Sequence, residues 1–167
     1  MKKGARIEDL YQEGLETLYE AENQIVAALP KMISATSFED LAAALEVHLE
    51  ETKEQVARLE AIFESMGGQP QGRDSDGMRG ILADSEKLIA QFERSPALDL
   101  ALTGAARKVE HWEMAAYENL VSLAEMLGQQ EAVERLQQTL AEEMKADELL
   151  VDTGAGIAAG AEEDAKG

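Results

Sequence analysis

Leu49-Glu50-Glu51-Thr52-Lys53-Glu54-Gln55 decides how this chain is read, because it returns ninety-two positions later as Ala141-Glu142-Glu143-Met144-Lys145-Ala146-Asp147. Both copies stand in sequence whose apolar residues recur at helical spacing. In both, the second glutamate falls toward the apolar side of its helix. Two carboxylates aimed at a core from matching places in a repeat point to paired helices built around a polar centre.

Around the first copy, Leu41, Leu45, His48, Leu49, Thr52, Val56, Leu59, Ile62, Phe63 and Met66 form one stripe. It predicts a helix that starts at a Ser37 cap, with Asp40 at the third helical position, and runs to about Met66. Before it, Ile7, Leu10, Tyr11, Leu18, Ala21, Ile25, Leu29 and Met32 predict a helix from about Arg6 to Ala35. Pro30 inside that pattern is its weak point, since proline removes an amide and tends to kink or end a helix. Residues 67–77 read as loop, and a short amphipathic helix follows from about Met78 to Glu93. Ser95-Pro96 is a helix start, and Gly128 the stop of a helix ending at Leu127. The second copy lies in a last helix from about Gln130 to Val151. A shift of ninety-one places lays Ile7 on Leu98, Tyr11 on Leu102, Leu18 on Val109, Glu22 on Glu113 and Leu29 on Leu120, so the second hairpin reads as a diverged copy of the first. The expected fold is all-α, an antiparallel four-helix bundle of two helical hairpins whose long crossover carries a short extra helix. It would occupy residues 1–151, leaving 152–167 as a flexible Gly/Ala/Glu tail.

The composition agrees. Hydrophobic residues are 45% of 167, enough for one core, whereas aromatics are 4%. The formal net charge of −19 disfavours nucleic acid and anionic membrane, both of which bind through Lys and Arg. No apolar run is long enough to span a bilayer, and Met1-Lys2-Lys3-Gly4 leads into no signal-peptide core. A cytoplasmic protein is expected. With no cysteine, a transition metal would have to sit on oxygen and imidazole ligands.

Direction about each helix axis separates the acids that point inward from those that do not. Glu22, Glu51, Glu113 and Glu143 each lie toward the core side of a different helix, near its middle. Glu110 and Asp147 add two carboxylates at helical spacing. Glu50, Glu54 and Glu142 point to solvent, and Lys53, Lys108 and Lys145 project outward or sideways. His48 and Gln55 flank Glu51 on the apolar face; His48 by itself reads as a hydrogen-bonded core histidine, and His111 as a surface residue. Tyr19, Trp112 and Tyr117 read as core or interface aromatics, with Tyr19 and Tyr117 near the acids. Any one inward glutamate is more simply a shoulder residue whose carboxylate reaches water. Four at matching depth in a repeat favour a buried cluster, which needs protons, basic partners or metal ions to offset it. Two divalent cations are the economical answer.

Leu18-Tyr19-Glu20-Ala21-Glu22-Asn23-Gln24, His48-Leu49-Glu50-Glu51-Thr52, Lys108-Val109-Glu110-His111-Trp112-Glu113 and Leu123-Ala124-Glu125-Met126-Leu127-Gly128 resemble the YciE/YciF stress-protein family, also catalogued as DUF892. The resemblance implies a ferritin-like fold, a homodimer and a role in bacterial stress. The wider ferritin and rubrerythrin group holds two iron or manganese ions on a Glu from each of two helices and a Glu-x-x-His from each of the others. By that likeness Glu22, Glu51, Glu113 and Glu143 are primary ligands, Glu110 and Asp147 complete the shell, and Gln55 or His48 support it. The histidines expected after Glu51 and Glu143 are missing; Gln55 and Asp147 are the inward residues there. So oxygen-rich a set favours Fe, Mn(II) or even Mg and Ca over Zn or Cu. The leading expectation is a dinuclear iron or manganese stress protein handling iron, O2 or H2O2. The alternative is a non-catalytic stress or interaction protein whose metal site is degenerate or empty.

Overall fold

The computed structural model describes Gly4 and residues 6–164, and every regular element among them is helical. The helices are α1 (Ile7–Ala35), α2 (Glu39–Ser65), α3 (Asp76–Gln91), α4 (Pro96–Met126) and α5 (Gln130–Asp164). None is long and apolar enough to cross a membrane. Ser95 caps α4 by accepting from the Leu98 amide at 3.3 Å, with Pro96 in the first turn, as the sequence predicts. Gly67 and Gly128 follow α2 and α4 with φ of +75° and +67°, the left-handed conformation that glycine adopts without a Cβ penalty.

α1 runs through Pro30 to Ala35, the end that its apolar stripe predicts. Leu29 and Met32 are buried on either side of Pro30, so core packing holds both turns where the local propensity is poor. Ser37 is not the cap of α2; Phe38 takes that position, without a side-chain cap bond. The Ser37 hydroxyl and amide instead donate to Asp99 of α4 at 2.6 and 2.9 Å, and the Thr36 hydroxyl donates to the same carboxylate at 2.6 Å. Arg94 completes the clasp by donating to the Thr36 carbonyl at 2.6 Å. Of the flexible tail expected over 152–167, residues 165–167 lie outside the described residues, and 152–164 are instead helix. Its small residues are a contact surface: Ile157 and Thr153 are buried, and a Cβ on Gly156 would lie 3.7 Å from the Phe38 ring.

Contacts run α1 to α2, α2 to α5, α5 to α4 and α4 back to α1, a closed ring of long helices, while α3 lies against α1 and α4. The ring encloses two apolar clusters. One gathers Ile25, Leu29, Leu41, Leu45, Leu102, Val109 and Leu150; the other gathers Tyr11, Leu18, Leu59, Phe63, Tyr117, Leu120 and Leu136. On every long helix a stretch of buried polar residues separates them. It holds Glu22 on α1, then His48, Thr52 and Gln55 on α2, Glu110 and Glu113 on α4, and Thr139 and Glu143 on α5.

Candidate metal centre

These polar residues meet. His48, Glu110, Glu113 and Glu143 each offer one ligand atom, and the four atoms lie within 4.8 Å of one another. Glu110 and Glu113 stand one turn apart on α4, so both reach the same side. His48 Nε2 lies 3.3 Å from Glu110 Oε1. Glu22 joins through Glu113, whose carboxyl faces its own, and accepts a hydrogen bond from the Tyr117 hydroxyl. Gln55 donates to Glu143 and, at 3.3 Å, to Glu142. Arg58 then grips Glu142 with both terminal nitrogens at 2.5 and 2.8 Å.

Removing these groups from water dominates their acidity. Burial, reinforced by the charge of Glu143, pushes Glu22 up to about 8. Burial also raises Glu143 to about 7, although Glu110 and Gln55 hydrogen-bonding work against it. Glu110 and Glu113 rise well above the ordinary carboxyl range, first by burial and then by the neighbouring carboxylates. Burial lowers His48 to about 4, so its imidazole is neutral near pH 7 and has a free lone pair. The same desolvation keeps Tyr117 a phenol.

As ions, the four carboxylates are acceptors only, and the site offers too few donors. Glu22 Oε2, Glu110 Oε2, Glu143 Oε2, both Glu113 oxygens, both His48 nitrogens and Gln55 Oε1 are buried without a hydrogen-bond partner. Protons can satisfy part of this, since Glu22 with Glu113, and Glu110 with Glu143, are placed for one carboxyl to donate to the other. A divalent metal satisfies it more fully. Oxygen donors with one neutral imidazole suit Mn(II) or iron, so the donor set fits the group implied by the sequence.

Of the expected ligands, Glu22, Glu110, Glu113 and Glu143 are brought together. Glu51 and Asp147 are not. Glu51 is half-buried on the shoulder of α2; burial and Glu142 push its pKa up while Lys145 opposes them. Thr52, the next residue, takes the inward direction and is fully buried. Asp147 turns toward α4, where Arg107 donates to it at 2.7 and 3.3 Å and His111 Nε2 lies 3.2 Å away. Four residues beyond Glu143 carry the helix about 40° past a full turn, enough to face a different neighbour. Arg107 accordingly holds Asp147 below the usual carboxylate range. Glu142, expected in solvent, is the Arg58 partner. His48 is promoted from core histidine to member of the cluster. His48-x-x-Glu51 is the reverse of a Glu-x-x-His spacing, and that was the signal available in the sequence.

The family model described as a domain of unknown function, DUF892, matches residues 6–161. The chain belongs to the DUF892 family. Within that family it is 40% identical to protein YciF of Escherichia coli K12 over 147 residues, 87% of this chain and 89% of that protein. The crystal structure of the E. coli stress protein YciF superposes with a TM-score of 0.88 at 37% identity, covering 95% of this chain and 98% of that one. YcfI from Rhodopseudomonas palustris matches with a TM-score of 0.86 at 36% identity, over 89% of this chain and 95% of that one.

Proposed function

We propose that this DUF892 chain is a ferritin-like, antiparallel four-helix-bundle protein that binds two iron or manganese ions and acts on iron, O2 or peroxide under stress. The observation that carries this reading is the cluster of buried carboxyl oxygens and His48 nitrogens without hydrogen-bond partners. A core tolerates such a concentration of acceptors only when cations or protons offset them. Glu22, Glu110, Glu113, Glu143 and His48 would hold the metal. Bound iron or manganese would supply one-electron chemistry and a Lewis acid for oxygen substrates.

The remaining duties fall to the chain. The Tyr117 hydroxyl orients Glu22, and Gln55 orients Glu143 while itself anchored through Glu142 to Arg58. The two apolar clusters above and below exclude water, which strengthens every charge interaction between them. The carboxyls release protons when metal binds, because the ligating forms are the ions. YciF is described as a stress protein, and by that likeness the chain is proposed to serve in stress protection in the cytoplasm, as a homodimer.

Anaerobic titration with Fe(II) and with Mn(II), followed by elemental analysis of the desalted protein, should give about two ions per chain. The double variant Glu113→Ala/Glu143→Ala should give none. A wild-type protein that retains neither metal sinks the proposal.

The facing carboxyl pairs favour a second reading, in which shared protons rather than metal stabilise a non-catalytic stress or interaction protein. It predicts that chelator leaves the stability of freshly purified protein unchanged.

A further inference from the structure

A cavity opens between α2 and α5 and ends on the cluster. Its volume is about 80 Å³, and Ala44, Leu45, Ala146, Leu149 and Leu150 are among the aliphatic residues of its wall. At its inner end stand His48 and Glu110, which are 5% and 1% exposed. At its outer end stand Val47 and Leu149, 54% and 46% exposed, with Glu51 and Lys145 beside them. The cavity therefore connects solvent with the one imidazole of the cluster and with Glu110 beside it.

Size and lining select the guest. A water takes about 30 Å³ of liquid volume, and an apolar cavity of about 150 Å³ accommodates benzene. The space here suits a molecule of two or three heavy atoms and is too small for an aromatic ring or an acyl chain. Aliphatic walls give a water molecule too few partners to be held along the passage. Anions are disfavoured by the aliphatic wall, which cannot solvate them, and by a chain of net charge −19. We infer that the α2–α5 cavity admits a small neutral molecule of the dioxygen class to the His48–Glu110 side of the cluster. This inference rests on the metal-binding reading above and names the oxidant that site would take.

Xenon, an apolar atom of similar size to dioxygen, is the probe for the cavity itself. Xenon NMR or a pressurised crystal of the wild-type protein should show one site between α2 and α5, with or without metal. Ala146→Leu and, independently, Ala44→Leu should fill the space and abolish xenon binding. Either variant that folds should still take up Fe(II) at the wild-type ratio, since neither alanine supplies a ligand atom. Oxidation of that Fe(II) by O2 should slow roughly tenfold, because a close-packed interior opens only through side-chain rearrangement. No xenon in the wild type, or filled variants that oxidise at the wild-type rate, overturns the inference. Slowing with H2O2 but not with O2 overturns the choice of dioxygen. Failure of the wild type to bind iron removes the metal reading itself, a result separable from the xenon arm.

Discussion

Withdrawing metal should make the protein most stable on the acidic side of neutrality. In the unfolded chain carboxyls titrate near 4.5, whereas folding raises Glu22 to about 8 and Glu143 to about 7. Between about pH 6 and 7 the unfolded chain has lost both protons; the folded chain keeps nearly all of the first and most of the second. His48 opposes this: unfolded, with a value of 6.5, it binds about half a proton that the folded form, at about 4, does not. The folded state thus holds at least one net extra proton, and stability falls as pH rises. At about 1.4 kcal/mol per proton per pH unit, the loss from pH 6 to 7 is on the order of 1–2 kcal/mol. Glu110 and Glu113, also raised, act in the same direction. Urea unfolding in EDTA should place the midpoint at pH 7 about 0.5–1 M below that at pH 6, with an unchanged slope. Saturating Mn(II) should reverse the trend, since metal binds the deprotonated site. A midpoint in EDTA that is flat or higher at pH 7 refutes the account of the buried carboxyls.

Further outcomes follow from single contacts. Asp99→Ala strands the Thr36 and Ser37 donors of the α1–α2 joint, so chemical denaturation should register a loss of about 3 kcal/mol. Asp147→Asn should leave Mn(II) uptake at the wild-type level and cost about 1 kcal/mol or less, because its partner Arg107 is 41% exposed; lost metal would restore Asp147 to the ligand set. Ile157→Ala should cost about 2–4 kcal/mol by opening a cavity under the end of α5. If thermal melts show no change there, the C-terminal helix does not pack as described.

The periodicity of apolar residues carries the helical reading, because a stripe at three and four spacing can be buried only by a helix. Ser95-Pro96 and Gly128 mark ends of elements through local chemistry, and such ends are visible in sequence. Pro30 and the Gly/Ala stretch after Asp152 violate local propensity, and only packing shows that Leu29, Met32 and Ile157 hold those turns helical. The inward direction of Glu22, Glu113 and Glu143 was legible from helix angle alone, since each lies inside its stripe, whereas Glu110 lies on a shoulder and only packing buries it. Glu51 lies on a shoulder and Asp147 reads as inward, yet for both about 40–60° decides between neighbours. Their fate rested on what stood opposite: Lys145 and Glu142 near Glu51, Arg107 and His111 against Asp147. No single-helix projection contains that information. The sequence by itself determined that carboxylates enter the core, because helical geometry acts within one element. Which of them meet His48 was decided by the tertiary structure, because that depends on how α2, α4 and α5 are turned toward one another.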